Sequence, residues 1–169
     1  MKIENLNLTN MIIEVKEAIK ISDKLKKQGK SIVLAGGCFD ILHVGHVRFL
    51  QSAREEGNIL FVLLESDENV KKLKGEDRPI NSQKDRAEVL LSLKPVDYVV
   101  LLTHMKSNRD YDKLITCLKP NILATTENDP GGIHKLRQAA IIGANVKEVI
   151  KRFEDKSTTI LRKTILKNK

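Results

Sequence analysis

Two histidines, His43 and His46, stand three residues apart where an apolar run gives way to a helical pattern. Ahead of them lies Gly36-Gly37-Cys38-Phe39-Asp40, and Gly45 sits between them. Side chains at i and i+3 share one helix face, so both imidazoles can donate hydrogen bonds to the same phosphate group. Glycine lets an anion approach the backbone closely. The first turn of a helix adds unpaired N–H groups and the positive end of the helix dipole. Gly37 and Gly45 thus suit a nucleotide lying against the backbone. The ordinary alternatives are a plain turn for Gly36-Gly37 and a helix-start or core role for a lone histidine. The pair could also be half of a metal site, but no further Cys/His cluster completes one.

Two more groups can serve the same anion. Ser157-Thr158-Thr159 opens the last helical pattern. In isolation three hydroxyls at a helix start read as an N-cap. Placed after the last strand, on the same sheet edge as the histidines, the hydroxyls and capped amides can hold a triphosphate from the opposite side. The other group is a basic stretch, Val70 to Pro79, carrying Lys71, Lys72 and Lys74. Each lysine alone reads as solvated surface. A mobile lysine can nevertheless neutralise the charge that builds on phosphates as a new P–O bond forms, and Lys74 and Lys71 are the candidates. A phosphate nucleophile is already ionised at neutral pH, so no general base is required. Catalysis is then positioning and charge stabilisation, with pyrophosphate leaving as a Mg²⁺-neutralised group.

The elements that must position these groups follow from the pattern. Strands are expected at about 31–35, 58–64, 96–102, 121–124 and 146–150. Helices are expected from the histidines to about 56, at about 82–93, 108–118 and 133–142, and from 157 to about 166. Continuous apolar runs such as Ile59-Leu60-Phe61-Val62-Leu63-Leu64 suit buried parallel strands. Alternation of strands and helices predicts an α/β, Rossmann-like, doubly wound sheet of five parallel strands in the order 3-2-1-4-5. Ligands in such sheets sit outside the carboxyl ends of the strands at the switch point, which places the site above the histidine junction. Glu65-Ser66-Asp67 falls at the same edge. Residues 1–30 read as an N-terminal helical extension, with Met11-Ile12, Val15, Ala18-Ile19 and Leu25 at helical spacing. Residues 31–169 form the remainder of one globular domain.

Gly37-x-Phe39-Asp40-x-x-His43-x-Gly45-His46 resembles the signature of the nucleotidyltransferase superfamily that includes the cytidylyltransferases. The resemblance implies attack by a phosphate or carboxylate on the α-phosphate of a nucleoside triphosphate, with loss of pyrophosphate. It assigns Gly37, Cys38, Phe39, Asp40 and Gly45 to the nucleotide. Ser157, Thr158 and Thr159 resemble the superfamily's phosphate-holding segment, and Arg152 falls where related enzymes place a β/γ-phosphate contact. Ser66-Asp67, Lys71-Lys72-Leu73-Lys74-Gly75, Arg78-Pro79-Ile80-Asn81, Arg86 and Val96-Asp97-Tyr98-Val99-Val100 narrow the likeness. They look like the heptose-1-phosphate adenylyltransferase branch, found in bifunctional heptose kinase/adenylyltransferases. The likeness covers about residues 26–167; a sugar-kinase domain has no room in 169 residues. One stretch departs from the branch: Thr125-Thr126-Glu127-Asn128-Asp129-Pro130-Gly131-Gly132 replaces a Lys-Gly-Gly-Asp-Tyr-like segment, with Asn128 where the aspartate is expected. Glu65 departs too, where the branch tends to have Asn. Glu65, Asp67, Arg78 and Asn128 are the candidates for the second substrate.

Composition bounds these readings. The chain has 169 residues, 31% charged and 4% aromatic, with no tryptophan, so a stacking platform for single-stranded nucleic acid is not expected. A formal charge of +8 favours anionic ligands. Two cysteines, Cys38 and Cys117, suggest neither a disulfide framework nor a zinc site. No signal peptide or bilayer-spanning run is visible, so a cytoplasmic setting is expected. The expected partners are ATP or CTP and a phosphorylated sugar or polyol, with no nucleic acid and no membrane. The resemblance suggests a homodimer. Alternatives are a CTP-dependent enzyme acting on glycerol-3-phosphate or another alcohol phosphate, an adenylyltransferase making a coenzyme such as FAD, and a nucleotide-binding regulator without turnover.

Overall fold

The structure, a computed structural model, describes residues 11–151. In chain order its elements are β1 (Ile12–Glu14), α1 (Val15–Lys27), β2 (Ile32–Gly37), α2 (Val44–Glu55), β3 (Ile59–Leu64), α3 (Asp67–Lys74), α4 (Gln83–Leu91), β4 (Tyr98–Leu101), α5 (Asn108–Leu118), β5 (Ile122–Thr126), α6 (Gly132–Ile142) and β6 (Asn145–Ile150). All strand pairings are parallel, in the order β1-β4-β3-β2-β5-β6.

The sheet therefore has six strands in the described residues, not five. The expected five keep their relative order, and Ile12–Glu14 adds an edge strand in register with Val99, Val100 and Leu101 of β4. Three residues are too few to display a period-two pattern, and Ile12-Ile13 fits the helical spacing of Val15, Ala18 and Ile19 equally well. Only the neighbouring edge of β4 decides between them.

β2 and β3 pair along six residues, from Ile32 opposite Ile59 to Gly37 opposite Leu64. This pairing carries the carboxyl ends of both strands to one edge. One face of the sheet packs Phe49, Leu50 and Ala53 of α2 and Leu90 and Leu91 of α4 against Val33, Ala35, Leu60 and Val62. The other face packs α1, α5 and α6 against Ile32, Leu34, Phe61 and Val100. Fully burying one such side chain contributes about 1.5–3 kcal/mol, so these layers set where the loops can go.

The basic stretch after β3 is mostly helix. Ser66 accepts the Asn69 amide at 3.2 Å as the N-cap of α3, Asp67 and Glu68 occupy the first turn, and Lys71, Lys72 and Lys74 occupy the last. Both charge placements suit the helix dipole. Ser82 caps α4 in the same way through the Asp85 amide at 3.2 Å. Among the described residues no helix is long and apolar enough to cross a membrane.

Candidate active site

A cavity of about 670 Å³ opens where the carboxyl ends of β2, β3 and β5 meet, at the switch point between β2 and β5. Its lining brings together Gly37, His43, His46, Glu65, Lys74 and Tyr111. Cys38, Phe39 and Gly45 line it too.

His43 is the N-cap of α2, and its Nδ1 accepts the Gly45 amide at 3.2 Å. The proton of the neutral ring then lies on Nε2. The His43 and His46 rings stack with centroids 3.8 Å apart and planes at 27°. Phe39 meets His46 edge-on at 5.2 Å. Burial lowers the pKa of both imidazoles, and the neighbouring His43 lowers His46 further, to about 4. Both are therefore neutral near pH 7. His46 Nδ1 is buried without a hydrogen-bond partner among the described residues.

Phe39 has φ 44°, a left-handed conformation that is uncommon outside glycine. That turn folds its ring back over Gly37, where an added Cβ would lie 2.9 Å from the ring. The missing side chain at Gly37 thus makes room for Phe39, a use of glycine that the phosphate reading did not foresee.

Asp40 and Arg78 were expected to touch substrates. Instead they form a buried ion pair, with side chains 1% and 4% exposed. The Asp40 carboxylate also accepts the amides of Ile80 at 2.7 Å and Asn81 at 3.1 Å. Its backbone carbonyl accepts the Asn81 side chain at 2.9 Å. With these partners both residues clamp the 78–81 segment to the turn after β2, and neither lines the cavity. Asp67 likewise pairs with Arg86 at 2.7 Å rather than facing the cavity. Arg86 is buried and reaches the carbonyls of Cys38 at 2.5 Å, Glu65 at 2.8 Å and Asn81 at 3.1 Å. Lys71 is committed to Glu76 at 2.6 Å, which raises its pKa, whereas Lys74 lines the cavity. Burial pushes the Cys38 thiol up, partly offset by Lys74.

At the carboxyl end of β3, Glu65 accepts hydrogen bonds from the Tyr111 hydroxyl at 2.9 and 3.0 Å and from Asn69 Nδ2 at 2.8 Å. Near β5 the atypical loop is held by Asp129. It accepts from the Thr125 hydroxyl at 2.7 Å and the Gly131 amide at 3.1 Å, and it pairs with Lys135. Burial works to raise the Asp129 pKa, but Lys135, Thr125 and Gly131 hold it below its ordinary value. Asn128 was expected to take the place of the branch's aspartate. It adopts φ 56° and lines a second cavity of about 440 Å³ that shares Thr125, Thr126 and Asp129 with the first; of Asn128 and Asp129, only Asp129 lines the histidine cavity. Arg152, Ser157, Thr158 and Thr159 lie outside the described residues.

Reading the sequence alone missed Tyr111, Asp129 and Lys135 as site residues. Tyr111 could have been found from its place in the first turn of the helix after β4, because that turn starts at the same sheet edge.

A parallel Rossmann-like sheet with a stacked histidine pair at its switch point defines a nucleotidyltransferase-like domain. The Cytidylyltransferase-like family profile matches residues 34–164, and the chain belongs to that family. Bifunctional protein HldE of a Nitratiruptor species is 46% identical over 153 residues, which are 89% of this chain and 31% of that protein. Bifunctional protein HldE of Aliarcobacter butzleri is 42% identical over 165 residues, 96% of this chain and 32% of that protein. These relatives accord with the expected likeness to the bifunctional heptose enzymes. The chain spans about a third of their length. Among solved structures, the lipopolysaccharide core biosynthesis protein from Thermoplasma volcanium superposes with a TM-score of 0.58 at 25% identity, covering 76% of this chain and 100% of that one. Pantoate-beta-alanine ligase from Francisella tularensis shares the fold, with a TM-score of 0.64 at 18% identity over 85% of this chain and 68% of that one.

Proposed function

We propose that this domain transfers AMP from ATP to a sugar phosphate such as heptose 1-phosphate and releases pyrophosphate. The observation that carries the reading is the stacked pair of neutral histidines, 3.8 Å apart, at the start of α2 on the cavity wall. The similarity to HldE supports the sugar phosphate and the adenylyl group.

In this reaction an oxygen of the incoming phosphate bonds to the α-phosphorus. The bond from that phosphorus to the oxygen bridging to the β-phosphate breaks, and its electron pair leaves with pyrophosphate. His43 donates its Nε2 proton in a hydrogen bond to an α-phosphate oxygen, and His46 donates alongside it. Donors aimed at charge that develops in the transition state contribute the largest share of such catalysis. Lys74 adds a positive charge, and Arg152, Ser157, Thr158 and Thr159 hold the β- and γ-phosphates. Mg²⁺, bound with the triphosphate, supplies charge neutralisation of the leaving group. Among the described residues no group of three or more His, Cys, Asp or Glu could hold a metal ion.

A second reading is a CTP-dependent enzyme acting on an alcohol phosphate such as glycerol-3-phosphate. It is favoured by Glu65 and by the Asp129-held loop, the two places where the site departs from the heptose branch. Pyrophosphate release with ATP and with CTP, each against heptose 1-phosphate and glycerol-3-phosphate, separates the two. His43→Ala or His46→Ala lowers turnover about 10²–10³-fold if the histidines act as described. Turnover within a few-fold of wild type refutes the mechanism. Tight ATP binding without pyrophosphate release under any phosphate would show a regulator instead.

A further inference from the structure

The two histidine rings are held in different ways. His43 is fixed by a hydrogen bond, its Nδ1 accepting the Gly45 amide at 3.2 Å. His46 Nδ1 is buried without a partner, and no hydrogen bond holds that ring among the described residues. Its orientation rests on two ring contacts: His43 stacked at 3.8 Å, and Phe39 at 5.2 Å with the planes at 61°. The second separation and angle fall in the favoured range for an edge-to-face aromatic pair. A functional imidazole is ordinarily oriented by a hydrogen bond to its other nitrogen; for His46 aromatic neighbours take that part.

Phe39 reaches that position against its own backbone preference, at φ 44°. A side-chain-bearing residue stays in the left-handed region only where its surroundings over-determine it, and such residues gather at functional sites. Both chain neighbours of Phe39 are pinned. The Cys38 carbonyl accepts Arg86 Nη1 at 2.5 Å. The Asp40 carboxylate pairs with buried Arg78 and accepts the amides of Ile80 and Asn81. On the inner side Gly37 leaves the room: a Cβ there would lie 2.9, 3.2 and 3.3 Å from three atoms of the Phe39 ring. Two buried guanidinium groups and one glycine thus converge on the placement of a single ring.

We propose that Phe39 is a positioning residue: its ring holds the His46 imidazole in the stack with His43, as the Gly45 amide holds His43 itself. The ties from Arg78 and Arg86 to the turn after β2 keep that ring in place. The proposal rests on the nucleotidyltransferase reading above and deepens it, since it names what aims the second histidine. Exclusion of water goes with the aim. Burial is the main cause of the lowered His46 pKa, ahead of His43, and the Phe39 ring is one of the groups packed on that imidazole.

The test uses the full chain with Phe39→Leu and Phe39→Gly. Leu90→Ala, in the same core but under α4, controls for lost packing. Leucine keeps apolar bulk at position 39, whereas glycine removes the side chain and accepts the left-handed backbone without strain. Should the leucine variant fold poorly, the glycine variant carries the comparison. NMR titration of the imidazoles needs no turnover. In each Phe39 variant the His46 pKa rises from about 4 by about one unit or more toward its ordinary value. Nuclear Overhauser contacts between the two imidazoles, present in wild type and in Leu90→Ala, are lost. Pyrophosphate release then shows kcat lowered about 10-fold or more in the Phe39 variants, with the KM for ATP within about threefold. An intact stack with a His46 pKa still near 4 in both variants overturns the proposal. So does a kcat within about twofold of wild type, or an equal fall of kcat in Leu90→Ala. If wild type releases no pyrophosphate with any phosphate, the catalytic reading fails separately, and the NMR measurements alone decide whether Phe39 holds the ring.

Discussion

The Asp40–Arg78 pair predicts a large loss of stability from a change that removes no volume. Asp40→Asn keeps the shape of the side chain and removes its charge. The Arg78 guanidinium, 4% exposed, is then left without a counter-charge, and the new amide nitrogen can face its N–H group. Leaving one partner of a buried pair uncompensated costs about 3–5 kcal/mol. The Ile80 and Asn81 amides can still be served by the remaining oxygen, so little is added for them. Total stability of a domain is about 5–15 kcal/mol, so the variant loses about a fifth of its margin or more. With a urea slope of about 2 kcal/mol/M, the midpoint falls by about 1.5–2.5 M. The double variant Asp40→Asn/Arg78→Met removes both charges and is more stable than the sum of the single losses implies, with a coupling of at least about 2 kcal/mol. Urea unfolding of the four proteins reads this directly. A loss below about 1 kcal/mol for Asp40→Asn, or simple additivity, refutes the clamp.

Three other predictions concern the histidine wall. In the unfolded chain His46 takes up a proton near pH 6.5, but in the native protein only near 4. Between these values the unfolded state binds more protons, so stability is full above about pH 6.5 and falls toward pH 4, by at most about 3 kcal/mol. His46→Gln flattens that slope in urea titrations run at several pH values; an unchanged slope rejects it. Gly37→Ala places a Cβ 2.9 Å from the Phe39 ring and costs about 1–3 kcal/mol. Gly36→Ala meets only Leu63 at 3.9 Å and costs less, a difference visible in thermal melts. Lys74→Ala lowers kcat more than Lys71→Ala, since only Lys74 lines the cavity, and steady-state assays with ATP report the ratio.

The apolar runs at 32–35 and 59–64, the turn after the first and the histidine-led helix were legible because local pattern and burial agree there. The edge strand was not, because Ile12-Ile13 continues a helical pattern and its true partner is β4. The helix over Asp67–Lys74 was only half legible, although Ser66, the two acids after it and the lysines at its end mark both termini. Charge type was the weakest guide at the site. Asp40 and Arg78 have the chemistry of ligand groups, but each is consumed by the other across 38 residues of chain. Tyr111 acquires its role from Glu65, 46 residues earlier, and nothing local records that meeting.

The buried Arg86 has a consequence for how this site can be altered. One planar guanidinium grips the main chain at Cys38, Glu65 and Asn81 from behind the cavity. The three loops are therefore registered to a common reference and cannot be displaced one at a time. A designer who wants a different substrate need not remodel the backbone: replacing the side chains at positions 65 and 111 changes the wall while the frame stays in place. The same fastening sets the limit of that freedom, since any insertion that shifts one loop drags the other two out of alignment.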